Sequence, residues 1–383
     1  MALPTIYLPR ELSKRLQGGH PWVYRDRLGS DPKLASGTWV RVRCGGFEGF
    51  GLYDARSPIA VRIFSRVGVP DVAWISARIR EAWQMRQPLR EQGISCYRWL
   101  YGEGDGVPGV VVDLYGDYAV VEVYADALLG VLDWLQAGLL ACAKLKGILL
   151  RGDQVTTLWG RWPNRELIVE ENGLRMYVDL VAGQKTGLYL DQRENRQYLE
   201  PWCAGKRVLN CFAYTGAFSL YAIRGGATEV TGVDIAPPLA YESARNLELN
   251  GFDPDAHPFV VADCFELLQE YAERGMQYDL VIVDPPSLAR AKKSRFAAQR
   301  AYLHLNQAAM RCVAPGGLLA AASCTSQVSP HIFRETLGDA SAGAGKRFLM
   351  LHEAGHAMDH PVPAHFPEGR YLKFVFGQVM EAV

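Results

Sequence analysis

Over residues 1–66 apolar and polar positions alternate in three short runs, TWVRVRC, FEGFGLYD and IAVRIFS, bounded by turn formers such as Gly45-Gly46 and Ser57-Pro58. A period of two marks half-buried strands, so this stretch predicts a small β module, closed or nearly so. From about Pro70 the period lengthens, and DVAWISARIREAWQMRQPL sets its apolar residues at helical spacing. RWLYGEGDGVPGVVVDLYGDYAVVEVYAD then reads as two strands turning at Tyr115-Gly116-Asp117, followed by a helix through 126–145 and the strand GILLRG. In ELIVEENGLRMYVDL, Asn172-Gly173 is a two-residue hairpin signal between strand-like runs. Together these define a small α+β domain ending near Leu180.

Beyond residue 181 the rhythm becomes regular. RVLNCF, EVTGVDIA, PFVVADC, DLVIVDPP and GLLAAASC each end a buried-strand pattern, and helical stretches separate them. That alternation predicts an open, mainly parallel, doubly wound sheet of Rossmann-like α/β class. Asp191 and Glu194 form a capping box at one helix start, and the Gly/Ala/Ser-rich stretch between Asp339 and Lys346 reads as a surface loop. The expected organisation is multidomain: residues 1–67 a β module, 68–180 an α+β domain, and 181–383 an α/β domain.

Composition narrows the class. With 49% hydrophobic residues the chain can build sizeable cores, which excludes a disordered or fibrous protein. No apolar run approaches the ~20 residues that cross a bilayer. MALPTIYLPRELSKRL lacks the apolar core of a signal peptide, so a cytoplasmic protein without membrane contact is expected. The 8 cysteines include no CxxC pair, which argues against a disulfide framework and a structural zinc site. Net charge is +0, yet it is unevenly spread. Residues 1–66 are rich in Lys and Arg, and no acidic residue falls between Asp284 and Glu335, a stretch that carries Arg290, Lys292, Lys293, Arg295, Arg300, Arg311 and Arg334. Two basic regions on a neutral chain point to a polyanion such as nucleic acid.

Ligands of doubly wound sheets bind beyond the carboxyl ends of the strands, and polar residues gather there in order. The first strand leads into Asn210-Cys211-Phe212-Ala213-Tyr214-Thr215-Gly216, the second into Asp234, the third into Asp263, the fourth into Asp284-Pro285-Pro286-Ser287 and the fifth into Ser323-Cys324-Thr325. Asp234 is spaced to accept ribose hydroxyls, as an acid ~20 residues beyond the glycine turn does in dinucleotide folds. Asp263 is placed for an adenine amino group. The turn has one clear glycine rather than GxGxxG, which favours a nucleoside cofactor without phosphates, S-adenosylmethionine. Ser287 stands where enzymes that methylate base nitrogens usually carry an aromatic, so a carbon acceptor fits better. A pyrimidine C5 becomes nucleophilic once a thiolate adds to C6, and Cys324, at a strand end beside the acid-free stretch, is the candidate. Cys211 ranks second. His352-Glu353-Ala354-Gly355-His356 matches the HExxH zinc pattern, but Gly355 and the preceding strand-like KRFLML deny it the helix that chemistry needs, so no metal is expected.

These motifs resemble, nearly end to end, the large-subunit (23S) ribosomal RNA cytosine-5 methyltransferases that carry an N-terminal PUA domain. GHPWVYRDRL and GFGLYDARSPIAVRIFS resemble that family's PUA domain, and YGEGDGVPGVVVDLYGDY its central domain. GQKTGLYLDQRENR, LNCFAYTGAFS, VTGVDIA, NLELNG, DLVIVDPPSLAR, SCTSQVS and DHPVPAHFPEGRYLK resemble its catalytic landmarks. The resemblance implies cofactor contacts from Gln184, Lys185, Thr186, Arg193, the turn Phe212, Ala213, Tyr214, Thr215 and Gly216, Asp234, Asp263, Asp284 and Pro285. It implies that Asp284 also lies near the target base and that Cys324 is the nucleophile. Ser287 follows Pro286 where many such enzymes carry a second cysteine. Lys292, Lys293, Arg295 and Arg300 would hold RNA phosphates around a flipped cytosine. Two other readings stand beside this one: methylation of a guanine nitrogen or another RNA position, and a non-catalytic ribosomal RNA-binding assembly factor that retains the fold. A homodimer through an exposed edge strand is a further expectation.

Overall fold

Residues 3–163, 167–288 and 295–382 are described by the computed structural model, which divides into two units. The first comprises Met1–Val169, Val178–Leu190 and Met358–Gly369. It holds two five-stranded sheets. One takes the spatial order Thr5–Tyr7, Thr38–Cys44, Phe47–Tyr53, Ile59–Ser65, Trp22–Tyr24, so the three alternating runs form its centre and two short strands flank them. Val40, Val42, Tyr53 and Val61 point their alternate positions into one core. The other sheet runs Val155–Gly160, Gly147–Arg151, Tyr118–Val123, Val110–Tyr115, Cys96–Tyr101. Helices Val72–Met85 and Leu132–Cys142 bury Ile75, Ile79, Leu135 and Leu139 in the same core as this sheet's Trp99 and Val112. Asp71 starts the first of these helices, its carboxylate accepting from the Trp74 amide at 2.8 Å. The helix expected through 126–145 is shorter, because Asp126–Val131 is a 3-10 turn and the α-helix ends at Cys142.

Strands Leu167–Glu171 and Leu174–Val178 pair as a two-stranded sheet. Asn172 (φ 51°) and Gly173 (φ 78°) both occupy the left-handed region that a two-residue type I′ turn requires.

The second unit comprises Glu170–Tyr177, Asp191–Ala357 and Arg370–Val383. Its sheet has seven strands: β1 (Arg207–Cys211), β2 (Glu229–Asp234), β3 (Phe259–Val261), β4 (Tyr278–Val283), β5 (Val313–Ser323), β6 (Lys346–Ala354) and β7 (Lys373–Glu381). Their order is β3-β2-β1-β4-β5-β7-β6. The pairings from β3 through to β5 are parallel, and β7 lies antiparallel between β5 and β6. Strand order reverses between β1 and β4, the switch point at which such sheets open a crevice beyond their carboxyl ends. The connecting helices are α1 (Arg193–Leu199), α2 (Ala217–Arg224), α3 (Pro238–Leu249), α4 (Cys264–Glu273), α5 (Arg295–Arg311) and α6 (Pro330–Gly343). The class expected from the sequence, an N-terminal β module, an α+β region and a doubly wound α/β domain, is the one observed.

Two local expectations are corrected. Residues Asp339 to Gly343 are not a loop but the last turns of α6, where Ala340 and Ser341 are buried; an alanine-rich stretch needs only one apolar stripe to remain helical. Asp191 does not cap α1, which begins at Arg193 after a 3-10 turn; the Asp191 carboxylate instead accepts from the Tyr371 hydroxyl at 2.6 Å. His352 lies on β6 and stacks on Tyr198 at 3.8 Å, while the His356 Nε2 accepts from the Leu372 amide. Among the described residues no cluster of His, Cys, Asp and Glu is disposed to hold a metal, and no helix is long and apolar enough to cross a membrane.

Beside this sheet, Glu171 and Arg196 are both buried and joined at 2.7 and 2.8 Å, with the Tyr221 hydroxyl donating to the same carboxylate at 3.0 Å. The pair ties the β-hairpin to α1 and α2.

Candidate active site

The turn after β1 is built with unusual backbone. Phe212 (φ 59°) and Tyr214 (φ 50°) adopt the left-handed conformation although neither is glycine, and Gly216 (φ 86°) follows them into α2. Strained non-glycine residues of this kind cluster at ligand sites. A side chain at Gly216 would place its Cβ 2.6 Å from the Ser243 hydroxyl on α3, so a larger residue here meets a clash as well as a left-handed φ. Asn246, also on α3, donates to the Thr215 carbonyl at 2.9 Å and fastens the turn to the same helix. Two buried polar atoms here, Asn210 Oδ1 and Thr215 Oγ1, have no protein partner among the described residues. Buried polar groups are rarely left so unless water or a ligand completes them.

Asp234 ends β2, and its carboxylate accepts from the Tyr214 amide at 3.0 Å, which links the second strand end to the first. Asp263 caps α4, accepting from the Phe265 amide at 2.7 Å and the Glu266 amide at 3.3 Å. Both bonds go to Oδ1, which leaves Oδ2 for a donor outside the helix. Arg193 opens α1 and is 1% exposed.

On the other side of the switch point, Asp284 and Pro285 continue β4 and Cys324 continues β5, its parallel neighbour. The Cys324 thiol donates to the Pro285 carbonyl at 3.8 Å. This contact joins the DPPS segment to the SCT segment across 39 residues of sequence. Asp284 is half-buried and Ser287 exposed. The cysteines of this unit differ sharply in environment. Cys203, Cys211, Cys264 and Cys312 are buried, whereas Cys324 is half-exposed. A hydrogen bond with Cys264 and complete burial push the Cys211 thiol well up, burial takes Cys312 to about 12, and burial with the Glu200 carboxylate beside it takes Cys203 to about 12. Those thiols are core residues, Cys211 included, whereas Cys324 lies at a strand end with part of its surface exposed.

Two residues at this site escaped the sequence reading. Lys373, the first residue of β7, is paired in register with Ser323 and is 2% exposed. Its ammonium donates to the carbonyls of Thr325 and, at 2.7 Å, Tyr371. Burial lowers it to about 8 against the opposing pull of the Cys324 thiol. Tyr302, buried in α5, has its phenol beside Ser323, Cys324 and Asp284; burial above all, then Cys324 and Asp284, push its ionisation up, and Ser323 opposes them. In sequence Tyr302 is one member of an apolar helical stripe and carries no signal. Lys373 carried one, a lysine opening an otherwise apolar strand, KFVFGQV.

The remaining expected residues are distributed as follows. Arg295 is half-buried at the start of α5, and Arg300 is exposed on the same helix. Lys292 and Lys293 lie outside the described residues. Gln184, Lys185 and Thr186 belong to the first unit. Within it the Thr186 hydroxyl donates to Asp113 at 2.6 Å and meets the Tyr115 hydroxyl at 2.8 Å. Asp113 in turn receives both Nε and Nη2 of Arg98 at 2.8 and 2.9 Å. Gln184 and Lys185 are exposed, with Gln184 accepting from the Tyr189 hydroxyl at 2.6 Å and the Lys185 ammonium 4.4 Å from the Tyr189 ring centre.

Comparison with known proteins places the chain among relatives. Residues 150–350 match a family model described as S-adenosylmethionine-dependent methyltransferase, and residues 6–66 match a PUA-like domain. The chain is similar to the ribosomal RNA large subunit methyltransferase I of Photobacterium profundum, 36% identical over 96% of this chain and 98% of that protein. It is 35% identical to the protein of the same name from Vibrio cholerae, over 97% and 98% of the two chains. In fold it is similar to a methyltransferase solved in complex with SAH, with a TM-score of 0.89 at 24% identity, covering 98% of this chain and all (100%) of that one. A SAM-dependent methyltransferase from Streptococcus mutans superposes with a TM-score of 0.87 at 23% identity, over 98% and 100% of the two chains.

Proposed function

The chain belongs to the S-adenosylmethionine-dependent methyltransferases of the ribosomal RNA large subunit methyltransferase I family, and from that premise we propose that it methylates C5 of a cytosine in large-subunit ribosomal RNA through a covalent adduct with Cys324. Bound S-adenosylmethionine supplies the methyl group as an electrophile on its sulfonium. The residues at the switch point fit that cofactor: a turn in which a Cβ at Gly216 would clash, two buried polar atoms awaiting partners, and successive carboxylates at Asp234 and Asp263.

In this reading Asp234 accepts hydrogen bonds from the ribose hydroxyls and Asp263, through its free Oδ2, from the adenine amine. Arg193 and the turn from Phe212 to Gly216 complete the cofactor contacts, with Asp284 and Pro285 at their edge. The Cys324 thiolate adds to C6 of the flipped cytosine, which moves electron density to C5 and makes that carbon nucleophilic. Asp284, as its neutral carboxyl, donates a hydrogen bond to N3 as the ring gains charge. Once C5 is methylated, loss of its proton expels the sulfur and restores the aromatic ring. Arg295 and Arg300, with Lys292 and Lys293 on the preceding segment, hold the flanking phosphates. Residues 1–67 act as the PUA-like RNA-binding module, 68–180 as the central domain and 181–383 as the catalytic domain of a cytoplasmic enzyme.

The observation that carries this reading is the half-exposed thiol of Cys324 held against the Pro285 carbonyl, beside Asp284, at the ends of adjacent parallel strands. Nitrogen methylation needs no such thiol. The test is mass mapping of methylated nucleosides in large-subunit RNA from cells carrying the wild-type gene, no gene, or Cys324→Ala. A single 5-methylcytidine present only with the wild type supports the proposal. A gene-dependent methylguanosine would transfer the assignment to a nitrogen acceptor. No gene-dependent methylation, with no binding of S-adenosylmethionine by calorimetry, would favour an assembly factor.

A further inference from the structure

A buried ammonium is costly unless an anion compensates it. Lys373 is 2% exposed, yet among the described residues no carboxylate pairs with it. Its hydrogen bonds go to two backbone carbonyls, those of Thr325 and Tyr371, and among the described residues the acidic group that acts on it is the Cys324 thiol. The register explains the meeting: Lys373 pairs with Ser323 across β5 and β7, one residue before the cysteine. The Thr325 carbonyl that receives its proton lies one residue after it. The lysine is thus fixed to the backbone on both sides of Cys324.

We propose that Lys373 is the cationic partner of Cys324, a positioning residue that keeps the sulfur as thiolate before substrate arrives. This deepens the reading of Cys324 as nucleophile and rests on it. The proton balance is simple. With Lys373 already an ammonium, the Cys324 thiol gives its proton to solvent, leaving a thiolate beside the cation. When the S–C6 bond later breaks, the sulfur recovers its electron pair and the ion pair is restored. Among the described residues Asp284 at the end of β4 and Tyr302 on α5 also lie near the thiol: an ionised Asp284 opposes negative charge on the sulfur, whereas the Tyr302 phenol, its ionisation pushed up by burial, stays neutral. His356 and Tyr371 lie on the segment leading into β7, their rings 4.3 Å apart, with the Tyr371 hydroxyl donating to Asp191. A thiolate here needs a nearby cation, and among the described residues Lys373 is placed to supply it.

The test is the pH dependence of iodoacetamide alkylation at Cys324 in the full chain, read by mass spectrometry of the peptide that contains it. For the wild type the expected midpoint lies at least one pH unit below the ordinary thiol value of ~8.5. In Lys373→Met the midpoint moves up by at least one unit, so alkylation at pH 7 slows about tenfold. Lys373→Arg, which keeps the charge, restores most of that rate. A wild-type midpoint at or above the ordinary value would overturn the proposal, and this measurement holds even if Lys373→Met does not fold. Equal midpoints in folded wild type and Lys373→Met would overturn it as well. Alkylation does not require methyl transfer, so a fully active Cys324→Ala would end the nucleophile assignment and leave this result readable by itself.

Discussion

The thiol of Cys324 donates to the carbonyl oxygen of Pro285 at 3.8 Å. Two strand ends that share no sequence neighbourhood are thereby fastened, and the sulfur stands beside the half-buried Asp284 rather than inside the core that holds Cys211 and Cys312. Covalent assistance requires that placement, since the nucleophile must reach the base while a carboxyl steadies the ring.

Removing the sulfur should separate chemistry from binding. Cys324→Ala is expected to lower methyl transfer at least about a thousand-fold, the scale seen when an essential nucleophile is deleted. Calorimetric affinity for S-adenosylhomocysteine should stay within about threefold, because the cofactor residues lie on other strand ends.

Asp234 links two strand ends through the Tyr214 amide. Asp234→Ala should weaken S-adenosylhomocysteine binding about 10- to 100-fold, as charge-assisted hydrogen bonds worth roughly 1.5–3 kcal/mol are lost. An unchanged dissociation constant by calorimetry would remove Asp234 from the cofactor site.

Gly216→Ala meets two penalties, a left-handed φ of 86° and a Cβ 2.6 Å from the Ser243 hydroxyl. A destabilisation of about 1–3 kcal/mol is expected in urea unfolding. The double variant Gly216→Ala, Ser243→Ala should recover the part due to the clash and keep the part due to φ.

Glu171→Gln leaves the Arg196 guanidinium buried without its anion. Breaking one side of such a pair costs about 3–5 kcal/mol, which corresponds to a melting temperature lower by roughly 10 °C for a domain of this size. Differential scanning calorimetry measures it directly.

Lys373 also makes a statement about stability. Burial lowers its ammonium to about 8 in the folded chain, from an ordinary 10.5. Between those values the unfolded chain binds more protons than the folded one, so stability from this group rises with pH across that window. Below pH 8 both states are charged and the burial cost is fully present. Relative to Lys373→Met, the wild type should gain up to about 3 kcal/mol between pH 7.5 and 10.5, measured by urea unfolding at each pH.

Local patterns in the chain reach as far as local causes do. Period-two runs reveal the strands Thr38–Cys44 and Phe47–Tyr53, and Asn172-Gly173 reveals its hairpin, because strand alternation and turn conformation are decided by neighbours. The order of Asp234, Asp263, Asp284 and Cys324 at successive strand ends is legible for the same reason. Lys373 is not, since it reaches Cys324 only because β7 inserts antiparallel beside β5, a pairing across 50 residues of sequence separation. Tyr302 is hidden in a helical stripe in which every buried position looks alike. Asp191 misled through a competing partner: Tyr371, far along the chain, takes the carboxylate that local spacing assigns to a helix cap.

Whether one sulfur bonds to the substrate ring is decided most directly by trapping. RNA carrying 5-fluorocytidine, incubated with the enzyme and S-adenosylmethionine, cannot release a C5 proton and so holds the adduct. The account predicts a denaturation-resistant protein–RNA complex whose cross-linked peptide contains Cys324, absent in Cys324→Ala. Methylation of the natural RNA with no such complex on the fluorinated one, or a cross-link at another residue, would contradict it.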